Sequence, residues 1–108
     1  MGATGGDGDG SGDARVAYGE NPAPAYPQSA RRRNEQGTVI LRVLVGADGL
    51  VRRVEIVETS GFDALDNAAV EAVRRRWHFI AAHRGGAAIE SWVRVPIRFS
   101  LTEAHAAN

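Results

Sequence analysis

The last apolar run of the chain, Ser91-Trp-Val-Arg-Val-Pro-Ile-Arg-Phe-Ser-Leu101, alternates apolar and other residues along its whole length. A period of two with one apolar face is typical of a half-buried β-strand. One face carries Val93, Val95, Ile97, Phe99 and Leu101, and the other carries Trp92, Arg94, Pro96, Arg98 and Ser100. Because proline has no N–H to donate, Pro96 predicts a strand at the edge of its sheet. Such an edge is either protected from other chains or offered to one.

Two further strands are predicted upstream of this run. Residues 38–45 alternate but carry apolar side chains on both faces, which is typical of a central strand. The sequence Gly46-Ala-Asp-Gly49 then predicts a tight turn. Residues 50–58 return as a second strand, with Val54 and Ile56 expected to point inward. Together these segments predict a β-hairpin.

Two helices are predicted around the hairpin. From Asp63 to about Trp77, apolar residues recur at three- and four-residue spacing, which indicates an amphipathic helix capped by Ser60 or Asp63. Before the hairpin, Pro27 suits the first position of a short helix over residues 28–34. Gly37 is expected to end that helix in a left-handed cap, and residues 81–86 are expected to form a loop.

The order helix, strand, strand, helix, strand limits the topology. A right-handed crossover through the long helix makes the second and third strands parallel. Placing the most apolar strand between them gives the order 2-1-3, in an α+β fold of two layers with both helices on one face. Residues 1–20, rich in glycine and aspartate, are predicted to be a flexible tail, residues 21–101 the folded domain, and residues 102–108 a second tail.

Composition and charge argue against several classes of function. The chain has no cysteine, which rules out disulfides and cysteine nucleophiles. No run reaches the roughly 18 apolar residues of a membrane helix. Its net charge is zero, so no nucleic-acid partner is expected. The arginine runs at 31–33 and 74–76 are interpreted as solvated helix faces, with an anionic partner such as phosphate, nucleic acid or lipid as the alternative.

No residues form a catalytic or metal-binding pattern. The histidines His78, His83 and His105 lack helical ligand spacing, and Ser60 lacks a Gly-x-Ser-x-Gly elbow. Asp63 and Asp66 are explained more simply by helix capping than by paired-carboxylate catalysis. We therefore expect no enzyme activity, no metal and no cofactor. A small hydrolase that uses His78 or His83 is a lower-ranked alternative.

Residues from about Tyr26 to Leu101 resemble the C-terminal domain of TonB, the energy transducer of the Gram-negative envelope. The matching elements are Tyr26-Pro27, Ala30, Gly37-Thr-Val39, Asp48-Gly49, Ser60-Gly61, Leu65-Asp66, Ala68-Ala69, Arg76-Trp77, Phe79, the loop glycines and Val95-Pro-Ile-Arg-Phe99. Each match is weak alone, but their order and spacing are specific. Ala81 departs from the proline that is usual in the family, and Thr59 from a frequent serine.

The resemblance implies a periplasmic domain whose inner-membrane anchor and long proline-rich linker would lie outside this chain. It implies binding to the TonB box, an extended segment of TonB-dependent outer-membrane receptors, by strand addition. It also implies coupling to the proton-channel motor complex of the inner membrane, for uptake of siderophores, haem or cobalamin. Carried over to this chain, the docking edge consists of Val93, Arg94, Val95, Pro96, Ile97, Arg98 and Phe99, with a second contact at Tyr26 and Pro27.

Two alternatives stay open from the sequence. An envelope scaffold or adaptor of the same fold could use this edge for another periplasmic partner. The open edge could also pair two copies of the chain into a weak homodimer.

Overall fold

The computed structural model of the protein describes residues 12–16 and 21–101. Its elements in chain order are β1 (Arg15–Val16), α1 (Gln28–Arg32), β2 (Gly37–Val45), β3 (Val51–Glu58), α2 (Asp63–Arg76), β4 (Phe79–Ile80), β5 (Ala82–Arg84), β6 (Ala87–Ile89) and β7 (Ser91–Phe99). Apart from residues 12–16, both predicted tails lie outside the described residues.

The main sheet has the order β3-β2-β7, and β2 is antiparallel to both neighbours. This confirms the predicted 2-1-3 arrangement, with β7 at one edge. One face of β2 is completely buried, because the side chains of α2 pack against it. The fully buried residues of this layer are Val39, Leu41, Val43 and Val45 on β2, and Leu65, Ala69 and Val73 on α2. Ala30 of α1 belongs to the same core, so both helices help to cover the sheet.

The first helix is shorter than predicted, and its end differs. It stops at Arg32, and the left-handed residue that follows is Asn34 with φ 58°, so the cap predicted at Gly37 is wrong. Asparagine tolerates this conformation better than most residues. Gly37 instead begins β2, where a Cβ atom would lie 2.8 Å from the carbonyl oxygen of Ser60. Its small size is needed for packing and not for a turn.

The second helix has the predicted bounds within one residue, but neither predicted cap is present. Phe62 occupies the N-cap position without a side-chain capping hydrogen bond. The buried carboxylate of Asp66 instead accepts hydrogen bonds from the hydroxyls of Thr59 and Ser60 and from the backbone N–H of Ser60 at 2.9 Å. One carboxylate therefore ties the end of β3 to the first turn of α2.

Small strands surround the main sheet. β1 pairs with β4, and Gly12 forms a bridge with His83, so these residues pack on the domain although the sequence placed them in a tail. Ala14 beside them is only 4% exposed. The loop predicted at 81–86 is largely a short hairpin, because β5 pairs with β6 across Gly85 and Gly86, both with positive φ. The sequence did not predict this hairpin, because each of its strands has only three residues and shows no clear alternation.

Ile56 faces the core side of the sheet, as expected, but it is not enclosed there. It lies opposite the fully buried Leu41, yet it is 46% exposed. Its strand is the outer one of the sheet, where the covering layer does not enclose the side chain.

Candidate functional site

The β7 strand forms a regular edge of the main sheet. All nine of its residues pair with β2 without a register shift. As predicted, Val95, Ile97 and Phe99 are buried, while Arg94, Pro96 and Arg98 on the opposite face are exposed. The strand therefore contributes one face to the core and leaves the other to solvent.

Pro96 shows which backbone groups point out of the sheet. It lies opposite Ile40 and has no N–H, so this antiparallel pair must be of the kind without hydrogen bonds between its two residues. Since the ladder is regular, the other even-numbered residues of β7 follow the same alternation. The residues whose N–H and C=O groups face the open side are Trp92, Arg94, Pro96 and Arg98, with only the C=O available at Pro96.

The C-terminal end of this edge is packed against the segment that precedes α1. The ring of Tyr26 meets the ring of Phe99 edge to face, at 5.4 Å between centroids. The Tyr26 hydroxyl donates to the carbonyl of Glu35, and the Arg31 guanidinium lies 5.6 Å from the centre of the tyrosine ring. Burial raises the pKa of Tyr26 despite the opposing charge of Arg31. This packing holds the segment beside the end of β7.

A cleft of about 370 Å³ lies at this junction. It is lined by Ala23, Pro24, Tyr26, Arg31, Arg98, Phe99 and Ser100. The structure thus brings Tyr26 together with the end of the predicted docking edge. Pro27 is the N-cap of α1, with φ −61° and ψ 137°, so it sets the direction in which the chain enters the helix.

The same N-terminal segment is held at a second point that the sequence did not reveal. Asn21 donates its amide to the carbonyl of His78 at 3.0 Å and accepts from the His78 N–H at 2.6 Å. The indole N–H of Trp77 donates to the carbonyl of Pro22 at 2.9 Å. A polar residue just before the proline-rich run was the only available signal for these contacts.

The open face at the other end of β7 carries Trp92, which is 40% exposed. Its neighbour is Arg42, whose guanidinium lies 4.3 Å from the ring centre. Arg42 also forms a 2.7 Å ion pair with Glu55 on β3. Arg42 therefore links both outer strands across the sheet, a role that its alternation on β2 alone did not indicate.

Asp66 and His83, two of the groups considered for catalysis, instead make contacts within the domain. Hydrogen bonds hold the Asp66 carboxylate in the turn before α2, and the His83 ring contacts the carbonyl of Ala81 at 3.1 Å. His105 lies outside the described residues. Within 12–16 and 21–101, no cluster of three or more histidine or carboxylate groups could hold a metal ion, and no helix is long and apolar enough to cross a bilayer. An exposed strand edge is the feature best suited to bind another molecule.

Residues 22–101 match the family model of the Gram-negative bacterial TonB protein C-terminal domain. The chain is 50% identical over 88 residues to protein tonB2 of Pseudomonas aeruginosa, which covers 82% of this chain and 32% of that protein. It is 40% identical over 107 residues to TonB of Neisseria meningitidis serogroup C, covering 94% of this chain and 35% of that protein. The chain therefore spans about a third of the length of these relatives.

The fold is similar to the solution structure of the TonB C-terminal domain of Helicobacter pylori. The TM-score is 0.55 at 26% identity, and the match covers 72% of this chain and 80% of that one.

Proposed function

The chain belongs to the family of TonB C-terminal domains, which are periplasmic parts of energy transducers and not enzymes, and on this basis we propose that it binds the TonB box of outer-membrane receptors along β7. The receptor segment adds as a further strand, and force derived from the proton gradient then passes through the domain to the receptor. The transported substrates are siderophores, haem or cobalamin.

The observation that carries this proposal is the open row of backbone groups on β7. Trp92, Arg94 and Arg98 direct N–H and C=O groups away from β2, and the strand is regular over nine residues. An extended peptide gains affinity at such an edge from main-chain hydrogen bonds, whereas pockets for alternate side chains add specificity. The missing donor at Pro96 removes one bond from the middle of the row without closing the edge.

The entry path of the chain supports transmission of force to this edge. Contacts of Asn21 and Pro22 with the residues that follow α2 fix the start of the segment, and Tyr26 fixes its end on Phe99. A load that arrives from the N-terminal side meets the pairing of β1 with β4 first and the contacts of Asn21 and Pro22 next, and it then reaches the end of β7 through a short segment. Tyr26 and Pro27 would provide the second contact with the receptor.

In the proposed whole protein, an N-terminal segment anchors the transducer in the inner membrane and couples it to the proton-channel motor complex. The relatives are about three times longer than the matched region, which leaves room for such parts. A homodimer formed through the same edge would compete with receptor binding, because one edge accepts one added strand at a time.

Titration of an isotopically labelled domain with a TonB-box peptide tests the proposal. We expect amide shift changes concentrated from Val93 to Phe99, with smaller changes near Tyr26. A matched control peptide with proline at alternate positions should produce no changes, because it lacks the donors for a ladder. Binding without shifts along β7 would exclude this docking site, and sedimentation of the free domain at rising concentration would detect competing dimers.

A further inference from the structure

Resting on the proposed strand addition at β7, we propose that the bound segment carries two acidic residues four positions apart, which pair with Arg94 and Arg98. The residue midway between them lies beside Pro96, and the two remaining positions are apolar. The recognised pattern is therefore acidic, apolar, any residue, apolar, acidic. Arg94 and Arg98 are specificity-determining residues of the docking edge.

The first support is the positive charge of the two exposed arginines on β7. Arg94 and Arg98 are both exposed on the same face of β7. Among the described residues, ion pairs involve other arginines, namely Arg33, Arg42, Arg52, Arg53, Arg74 and Arg75. The two guanidinium groups at the docking edge thus have no carboxylate partner within the described part of the domain.

The second support comes from their neighbours on β2. Arg94 lies opposite Arg42, and Arg98 lies opposite Thr38. Arg42 itself forms an ion pair with Glu55 on β3, the outer strand on the other side of β2. When two residues face each other on neighbouring strands, charges of opposite sign stabilise the sheet and charges of the same sign destabilise it. Since the inner neighbours supply no negative charge, the position that remains for it is on a strand added at the outer side.

The spacing follows from strand geometry. Arg94 and Arg98 are four residues apart, or about 13 Å along an extended strand. An added strand has the same rise, so its partners are also four residues apart. Acids on this face alternate with side chains on the other face, which extend the core beside Val95 and Ile97. Those intervening positions are therefore apolar.

The junction with α1 strengthens the positive potential at one end. Arg31 and Arg98 both line the cleft beside Tyr26, and none of the described residues that line it is acidic. An acidic residue opposite Arg98 therefore approaches two cations. Because the strand could add in either direction, the pattern is symmetric about its central position.

The test uses extended peptides of about nine residues that alternate valine and threonine. In one, two threonines four positions apart are replaced by glutamate; in the second, by glutamine. In a third, one glutamate is moved to a neighbouring valine position, which keeps the charge but places the two acids on opposite faces. Amide shifts along β7 measure the dissociation constants at low salt.

We expect the first peptide to bind about five-fold more tightly than the glutamine peptide, since each cross-strand ion pair contributes modestly. The moved-glutamate peptide should bind more weakly than the first. The double variant Arg94→Gln with Arg98→Gln should abolish the advantage. The control double variant Arg32→Gln with Arg76→Gln removes the same charge from exposed helix positions and should retain it.

Equal affinity of the glutamate and glutamine peptides at β7 would overturn the inference and leave the proposed strand addition intact. Equal affinity of the first and third peptides would do the same, because net charge alone would then explain the binding. If neither these peptides nor the TonB-box peptide shifted β7 amides, the proposed function would fail and the inference with it.

Discussion

Among the described residues the main sheet ends in two strands of different character, β7 and β3. β7 pairs with β2 without a register shift, and its core-facing residues Val95 and Ile97 are buried. β3 pairs with the same central strand through two register shifts, and it exposes Ile56 by 46% and Val57 by 57%. One central strand therefore supports a regular edge and an irregular one.

Irregularity changes what an edge can bind. A bulge increases the local twist and interrupts the regular row of donors and acceptors, so it discourages pairing with another chain. β3 is blunted in this way, whereas β7 has only the missing donor at Pro96. The comparison shows that exposure of apolar side chains does not by itself identify a docking edge, because the more exposed edge is the poorer template.

The largest expected effect is on stability, and it compares the packing of β7 and β3 by one isoleucine-to-alanine substitution in each strand. Ile97→Ala should lower the free energy of unfolding by about 2–5 kcal/mol, because Ile97 is 6% exposed and leaves a cavity in the core. Ile56→Ala should cost less than about 1 kcal/mol, since that side chain is already half in water. Urea denaturation of both variants measures the difference. Equal costs would show that β3 is packed as tightly as β7.

The second prediction concerns the turn that follows β3, where Asp66 holds Thr59 and Ser60. Burial raises the pKa of this carboxyl, but the hydrogen bonds from Thr59 and Ser60 outweigh burial and leave the pKa below its ordinary value of 3.8. Asp66→Asn should therefore cost about 1–3 kcal/mol at pH 7, because the hydrogen bonds to a buried charge are weakened. The matched variant Asp63→Asn, at an exposed position in the same helical turn, should cost less.

The pH dependence of this effect has a definite sign. A carboxyl whose pKa is lower in the folded state stabilises the protein above the unfolded pKa, and this contribution is lost as the pH falls through the folded pKa. The stability difference between the wild type and Asp66→Asn should thus be full at neutral pH and shrink below about pH 4. Thermal unfolding from pH 7 to pH 2 measures it. A difference that stays constant over this range would contradict a role for the ionised carboxylate.

The smallest expected effect tests the two edges as templates. Arg94→Pro removes an outward N–H from β7, and Ile56→Pro removes one from β3, because Ile56 lies opposite Leu41, whose own backbone groups face β7. We expect Arg94→Pro to weaken binding of the TonB-box peptide about ten-fold, or about 1.4 kcal/mol. Ile56→Pro should leave the affinity unchanged.

Arg94→Gln serves as the side-chain control for this comparison, since it keeps the N–H while removing the charge. It should weaken binding less than Arg94→Pro does. A loss of affinity in Ile56→Pro, with Arg94→Pro unaffected, would transfer the docking site to the other edge.

The three strands of the main sheet, their order and the edge position of β7 were predictable from the sequence. Each depends on local chemistry, namely the alternation of side chains and the missing N–H of Pro96. The bounds of α2 followed in the same way from its helical period. The docking role of Val93 to Phe99 and of Tyr26 and Pro27 stays a prediction, because it concerns a partner.

Other features depended on contacts between residues far apart in the chain. The binding of Asn21 to His78, the stacking of Arg42 on Trp92 and the pairing of β1 with β4 join segments whose own patterns are unremarkable. Even Asp66, a plausible helix cap by position, turns back to the preceding loop because its carboxylate is buried there. Sequence alone determined the periodic elements and the strand that must lie at an edge, since periodicity and a missing donor are local properties. Only the tertiary structure decided which polar side chains hold those elements together, because a hydrogen-bond partner is selected by proximity after packing.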